Sequence, residues 1–327
     1  MIPAAYDAAR HRAAFLTPAP LGRIVVSGAD RASYLQGLLT NDIVALKAGQ
    51  GCYAAYLTAQ GRMISDMHVY ELGDVLLVTL AGEVKDGVLA KFDQFVFSED
   101  VQLGDVTETF SQISIVGPDA ARVVSAVVPD VSVETLNALP GHGNVRVRYA
   151  GAPAIVTRVT DTGAAGFDVF VDRGQAEALS AAVAAAGALP MDVAAAEALR
   201  IEAGVPRFLC DMDEETIPLE AGIEGRAISF TKGCYVGQEV IIRVMHRGHG
   251  RVARRLVGLT LDGSRVPLSG AAIHAADRDI GQVTSSTLSP ALKQPIALAY
   301  VHRDFVEPGT KVTVDGANAT VTTLPFV

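Results

Sequence analysis

Ile113-Ser-Ile-Val-Gly-Pro-Asp119 and the run that follows it carry the pattern from which the fold is read. An apolar tetrad meets a Gly-Pro-Asp break, and an Ala/Val-rich stretch from Ala120 to Val128 then reads as a helix with Pro118 suited to its first turn. β-Rich runs follow at Val145 to Tyr149, Ala154 to Thr160 and Phe167 to Val171, before an Ala-rich helical stretch from Gln175 to Ala186. Strand, helix, strands and helix within one stretch predict a split βαβ, ferredoxin-like unit at about 110–187. The class is therefore α+β.

On the N-terminal side, a helix is expected after Gly28, with Asp30 as its N-cap and Tyr34, Leu35, Leu38 and Leu39 on one face. It ends near Thr40-Asn41-Asp42. Short alternating runs between Gly51 and Leu80, broken at Gln60-Gly61 and Gly73-Asp74, read as a β-meander, and Glu83 to Phe97 returns to helical period. On the C-terminal side a further helix runs from Asp192, its N-cap, to Ala203, with Gly204 just beyond. From about Arg255 onward six short β-rich runs punctuated by Gly and Pro predict a small barrel or sandwich.

Composition bounds the function. The chain has 327 residues, enough for two or three domains. Its net charge of -9 argues against nucleic acid or an anionic membrane as the main partner. Three scattered cysteines, Cys52, Cys210 and Cys234, form neither a disulfide framework nor a sequence-local metal site, and they fit a reducing compartment. No apolar stretch reaches the ~20 residues of a membrane span, and the N-terminus lacks a secretory pattern, so a cytoplasmic protein is expected.

The densest polar information lies between Arg200 and Arg251. Cys234 sits between glycines beside Lys232, a cation able to favour its thiolate, which makes it the candidate reactive thiol; a small inert cysteine is the alternative. His246 and His249, in the loop from His246 to Arg251, lack the supporting ligands of a zinc site, so they read as part of a solvated basic loop and no metal is expected. With Arg243, Arg254 and Arg255, this loop concentrates positive charge in an acidic chain.

The run Lys232-Gly-Cys-Tyr-Val-Gly-Gln-Glu239 resembles the signature of the YgfZ-type folate-binding proteins, relatives of the glycine-cleavage T-protein that act in iron–sulfur cluster assembly or repair. Leu38 to Ile43, Gly61 to Asp66, Thr162 to Asp168, Arg200 to Gly204 and Pro218 to Gly222 are similar to T-protein family segments in the same order. The resemblance implies a three-domain cloverleaf with a C-terminal β-barrel. Residues 1–250 then form a folate-binding region of two interleaved α+β domains, and residues 251–327 form the barrel.

It also implies a tetrahydrofolate site. Asp66 falls where the T-protein has the aspartate facing the reactive nitrogens of the folate, and Tyr53 matches a pocket tyrosine. Asp168 falls where the family has a glutamate that pairs with the pterin, and Arg200 matches an arginine near the same place, with orienting the carboxylates around it as its structural alternative. Lys232, Gly233, Cys234, Tyr235, Gly237, Gln238, Glu239 and Arg243 are the motif positions. Asp161 stands where the T-protein has a pterin-covering tyrosine, which adds a third acid near Asp66 and Asp168. These departures lead to the expectation that folate binds while aminomethyl transfer is weak or absent. The resemblance then implies an accessory role in iron–sulfur cluster assembly through Cys234, with iron–sulfur proteins or assembly factors as partners. A folate-dependent one-carbon transferase is the alternative.

Overall fold

The computed structural model describes residues 3–18, 20–246 and 250–327. A five-stranded antiparallel sheet is ordered Gly51–Leu57, Met63–Glu71, Leu76–Ala81, Leu21–Ser27 and Gln102–Asp105. Its first three strands are the meander anticipated from alternation. Leu21–Ser27 and the edge strand Gln102–Asp105 were not anticipated; the latter is polar and half-exposed, so no apolar alternation marks it.

The helix Arg31–Leu38 packs Tyr34, Leu35 and Leu38 onto this sheet, against Ile24, Val26, Ala54 and Val78. Asp30 stands at its N-terminus, but its carboxylate accepts from the Asp100 N–H at 2.9 Å and makes no cap to the helix. The expected helix from Glu83 to Phe97 is a 3-10 turn, Gly82–Val84, followed by an α-helix, Lys85–Asp93.

A six-stranded sheet is ordered Leu189–Pro190, Ala14–Leu16, Phe110–Val116, Gly166–Asp172, Ala152–Val159 and Asn144–Tyr149. The helices Ala120–Val127 and Ala176–Ala185 pack Val123, Val124, Leu179 and Val183 into its core. This is the ferredoxin-like arrangement with one extension: the strand Ala14–Leu16 enters beside Phe110–Val116, and Leu189–Pro190 pairs with it at the edge. Pro118 lies just outside the helix, whose N-cap position is Asp119.

The helix Val193–Glu202 opens as expected, with Asp192 accepting from the Ala195 N–H at 2.8 Å. Six C-terminal strands close into a barrel in the order Arg254–Leu261, Gln294–His302, Arg278–Ser289, Ala272–Ala275, Lys311–Val314 and Ala317–Thr322. Among the described residues no helix is long and apolar enough to cross a membrane.

Candidate functional site

Two strand pairs, one in each sheet, present the polar residues that matter. In the five-stranded sheet Tyr53 pairs with His68 and Ala55 with Asp66, so Tyr53 and Asp66 are diagonal neighbours on one face. The Tyr53 hydroxyl donates to Asp66 Oδ2 at 2.7 Å, and the Tyr53 and His68 rings are 5.3 Å apart. The Arg226 guanidinium lies 4.9 Å from the Tyr53 ring centroid, a cation–π distance.

In the six-stranded sheet Asp168 is directly opposite Ser114, whose hydroxyl donates to Asp168 Oδ1 at 2.5 Å. Gln112, two residues before Ser114 and so on the same face, accepts from Arg23 of the other sheet at 3.3 Å. Tyr70 and Ile155 pack in one apolar cluster, so the two sheets meet beside this site.

Electrostatics tie the halves together. Burial raises the Asp66 carboxyl, while the Tyr53 hydrogen bond, His68 and Arg226 pull it back and Asp161 pushes it further up. Asp168 is 6% exposed, and burial pushes it up to about 7, opposed by hydrogen bonds from Ser114 and Gln112 and by the charge of Arg23 and reinforced by Asp161. Asp161 thus acts on both carboxyls, but its Oδ1 also lies 3.6 Å from His68 Nε2. That histidine faces the acid the sequence placed in the tyrosine's position. His142 stacks 4.9 Å from His68, and burial lowers it to about 4, so it is neutral at physiological pH. Among the described residues its buried Nδ1 has no hydrogen-bond partner.

This set fits a ring bearing adjacent N–H groups. Asp168 is a buried carboxyl whose hydrogen-bonding neighbours, the Ser114 hydroxyl and the Gln112 amide, are both neutral, and among the described residues no cation reaches ion-pair distance. Such a group gains most from a ligand that supplies donors. Among the described residues the buried His142 Nδ1 is without a partner, and the Tyr53 hydrogen bond to Asp66 falls on Oδ2.

Arg200 is a correction. It is 5% exposed and belongs to another network: its Nη1 donates to Asp211 at 2.6 Å and to the Val205 carbonyl at 2.7 Å. Its Nη2 donates to Glu197 at 2.9 Å and to Ser285 of the barrel at 2.8 Å. The guanidinium is used in joining the helix Val193–Glu202 to the barrel, and it meets none of Tyr53, Asp66 or Asp168.

Lys232 also departs from expectation. Its ammonium donates to the carbonyls of Gln36, Leu39 and Asn41 at 2.6, 2.6 and 2.9 Å, so it caps the C-terminal end of the helix Arg31–Leu38. The thiol it influences is Cys52, which burial pushes up to about 12, against the pull of Lys232. Cys234 is exposed, and Gly233 beside it has open space where a side chain would stand.

The rest of the motif packs. Tyr235 is buried among Leu57, Met63 and Ile241. At Gly237, with φ +83°, a Cβ would stand 2.5 Å from the Thr58 carbonyl oxygen, so glycine is required where the run crosses the turn before Met63. Gln238 and Glu239 open the helix Gln238–His246, and Arg243 lies exposed in its last turn. Arg247 and His249 of the basic loop lie outside the described residues. Arg254 and Arg255 pair with Glu220 and Glu224. Sequence reasoning missed Arg226, His68, His142, Ser114 and Gln112. Only the alternation of Asp66 with His68 and of Gln112 with Ser114, which puts each pair on one strand face, could have flagged any of them.

Family comparison settles the lineage. Residues 1–232 match the GCVT N-terminal domain, and residues 254–327 match the glycine cleavage T-protein C-terminal barrel domain. This chain belongs to the glycine-cleavage T-protein family. Among curated relatives of this T-protein family chain, an aminomethyltransferase of Rubrobacter xylanophilus is 33% identical over 99% of the chain and 86% of that protein. One from Geobacillus kaustophilus is 32% identical over 98% of the chain and 89% of its own length. The crystal structure of the glycine cleavage system aminomethyltransferase T from Bartonella henselae superposes with a TM-score of 0.88, at 22% identity, over 98% of this chain and 88% of that one. It shares the fold.

These relatives overturn two expectations. The likeness that led to an iron–sulfur accessory protein rests on residues 232–239, whereas likeness to aminomethyltransferases runs the length of the chain. The expectation that the chain is not a classical aminomethyltransferase falls with it. The structure supplies the physical reason: the third acid, Asp161, faces His68, and the motif around Cys234 is built from packing and capping contacts.

Proposed function

We propose that this chain is a folate-dependent aminomethyltransferase that uses the Tyr53, Asp66 and Asp168 cluster. The observation that carries the reading is the Tyr53–Asp66 pair, a hydroxyl on a carboxyl raised by burial, with Asp161 acting on both this carboxyl and Asp168. Tetrahydrofolate, when bound, supplies the nitrogens that take up the one-carbon unit.

In this reading Asp168 accepts from the N–H groups of the pterin, which requires its ionised form. Its side chain is shorter than the family's glutamate, and Ser114 fixes it from the neighbouring strand. Asp66, with Oδ2 held by Tyr53, offers Oδ1 to a proton at the reacting nitrogen. Its raised affinity for protons brings it nearer to working pH than an exposed aspartate. Tyr53 fixes the carboxylate's orientation, and Arg226 covers the tyrosine.

We assign residues 1–250, as two interleaved α+β domains, to folate binding and residues 251–327 to a supporting barrel. A reducing cytoplasm suits the three free thiols. The YgfZ-type likeness at Lys232 to Glu239 is taken as a likeness of loop architecture, and no step is assigned to Cys234. Arg200 is given a structural role.

The test is product formation by purified protein from an aminomethyl donor and tetrahydrofolate. Asp66→Asn is expected to lower turnover by ~10²-fold or more, the range for loss of a positioned acid–base group. Undiminished turnover in that variant would remove Asp66 from the reaction.

A further inference from the structure

The strand that carries Tyr53 is an edge strand. Met63–Glu71 pairs with one side of it, and among the described residues no second strand covers the other. Residues 39–41 cover that side instead. Leu39 bridges Tyr56, the Thr40 N–H donates to the Ala55 carbonyl at 3.0 Å, and the Thr40 hydroxyl accepts from the Ala55 N–H at 2.8 Å. Asn41 Nδ2 donates to the Tyr53 carbonyl at 2.8 Å and to the Arg226 carbonyl at 3.1 Å. The same side-chain amide therefore holds both Tyr53 and the segment whose guanidinium lies over its ring.

Those covering residues follow a helix end, where carbonyls lack intrahelical partners. Lys232, only 9% exposed, answers three of them at once: Gln36, Leu39 and Asn41. Three ammonium protons meet three oxygens, and two of those oxygens belong to the covering residues themselves. At its other end the motif run packs through Gly237 on the turn that leads into the Asp66 strand.

We propose that Lys232 is a positioning residue that, through Asn41, holds Tyr53 in its hydrogen bond to Asp66. The proposal rests on the reading of Tyr53 and Asp66 as the working pair. It gives the Lys232 to Glu239 run a role in the transferase that needs no thiol. Release of Lys232 frees residues 39–41, lets the Tyr53 end of the edge strand shift, and lengthens the hydroxyl's contact with Asp66.

The readout is the proton affinity of Asp66. The groups that face it are Tyr53, Arg226 from the helix Glu224–Ala227, Asp161 from the loop after Ala152–Val159, and His68 from its own strand. Tyr53 is the neighbour whose hydrogen bond favours the ionised form most. Weakening it raises the titration midpoint.

The experiment is a carbon-13 carboxyl NMR titration of Asp66 in the full chain, without folate. It compares wild type, Lys232→Met, Asn41→Ala, Tyr53→Phe and the Lys232→Met/Tyr53→Phe double variant. Lys232→Met and Asn41→Ala are expected to move the midpoint upward, in the same direction as Tyr53→Phe and by no more. The double variant is expected to match Tyr53→Phe alone, because the lysine acts through the tyrosine. A purely stabilising lysine would lower the melting temperature and leave the midpoint where it is in wild type. An unmoved midpoint in Lys232→Met and Asn41→Ala, or an additive shift in the double variant, overturns the proposal. Should Lys232→Met fail to fold, Asn41→Ala decides alone. The titration needs no turnover, so absence of transferase activity in the wild type would defeat the functional reading and leave this result readable.

Discussion

Asp168 and Asp211 are both buried carboxyls, 6% and 2% exposed, yet their surroundings differ in kind. Asp211 accepts from Arg200 at 2.6 Å, from the Arg207 N–H at 3.0 Å, and from the hydroxyls of Thr284 and Ser285 at 2.6 Å each. A cation and three further donors leave it little to offer a ligand. Asp168 has the Ser114 hydroxyl at 2.5 Å and the Gln112 amide but no cation among the described residues, and burial holds it near 7. Burial alone does not mark a candidate acid; burial without a countercharge does. One carboxylate joins the helix Val193–Glu202 to the barrel, and the other is the one proposed to meet the ligand.

The contrast can be broken at either end. The largest effect is expected from Asp66→Asn on turnover, since it removes the acid proposed to face the reacting nitrogen. Next, Asp211→Ala leaves the buried Arg200 guanidinium without its strongest partner and is expected to cost about 3–5 kcal/mol, read by denaturant unfolding. Folate affinity in the folded fraction should be unchanged. Asp168→Ala should do the opposite, weakening tetrahydrofolate binding by ~10- to 100-fold in a direct titration, the range for a hydrogen bond to a charged group, without destabilising the chain at neutral pH.

Stability against pH sharpens the same comparison. Asp168 is raised in the fold to about 7 from an unfolded value of 3.8. The unfolded chain therefore gives up this proton more readily than the folded chain between those two values. Stability from this group is fully present below the lower value and is lost as pH rises through about 7. Asp168→Asn should melt higher than wild type at about pH 8, and the gap should close at about pH 4. A gap that persisted at low pH would show that the carboxyl is not the group responsible. The smallest effect is expected at Cys234→Ala: the thiol is exposed and no step is assigned to it, so turnover should stay within about twofold of wild type. A large loss there would restore the thiol to the mechanism.

Much of the fold was legible because it rests on periodicity. The six barrel strands, the meander and the helix capped by Asp192 each carry alternation or a cap that reads locally. The edge strand Gln102–Asp105 carries neither, and Asp30 was misread because its carboxylate serves Asp100, seventy residues away. Tyr53 and Asp66 were singled out from family likeness, and their diagonal register explains the thirteen-residue spacing across one hairpin. Arg200 and Lys232 were read as site groups because charged residues near a motif invite that reading. Their partners, Asp211, Ser285 and the carbonyls of residues 36, 39 and 41, lie far off in sequence or belong to the backbone, and neither kind leaves a local pattern. Arg226 over Tyr53 is invisible for the same reason.

The decisive measurement is proton release on tetrahydrofolate binding, by calorimetry in buffers of differing ionisation heat. With Asp168 near 7 and pterin donors favouring its ionised form, binding at about pH 6.5 should release a large fraction of one proton, and binding at about pH 8.5 should release almost none. The release should vanish in Asp168→Asn. Binding with no release at the lower pH, or the same release from Asp168→Asn, would contradict the assignment of this carboxylate to the folate.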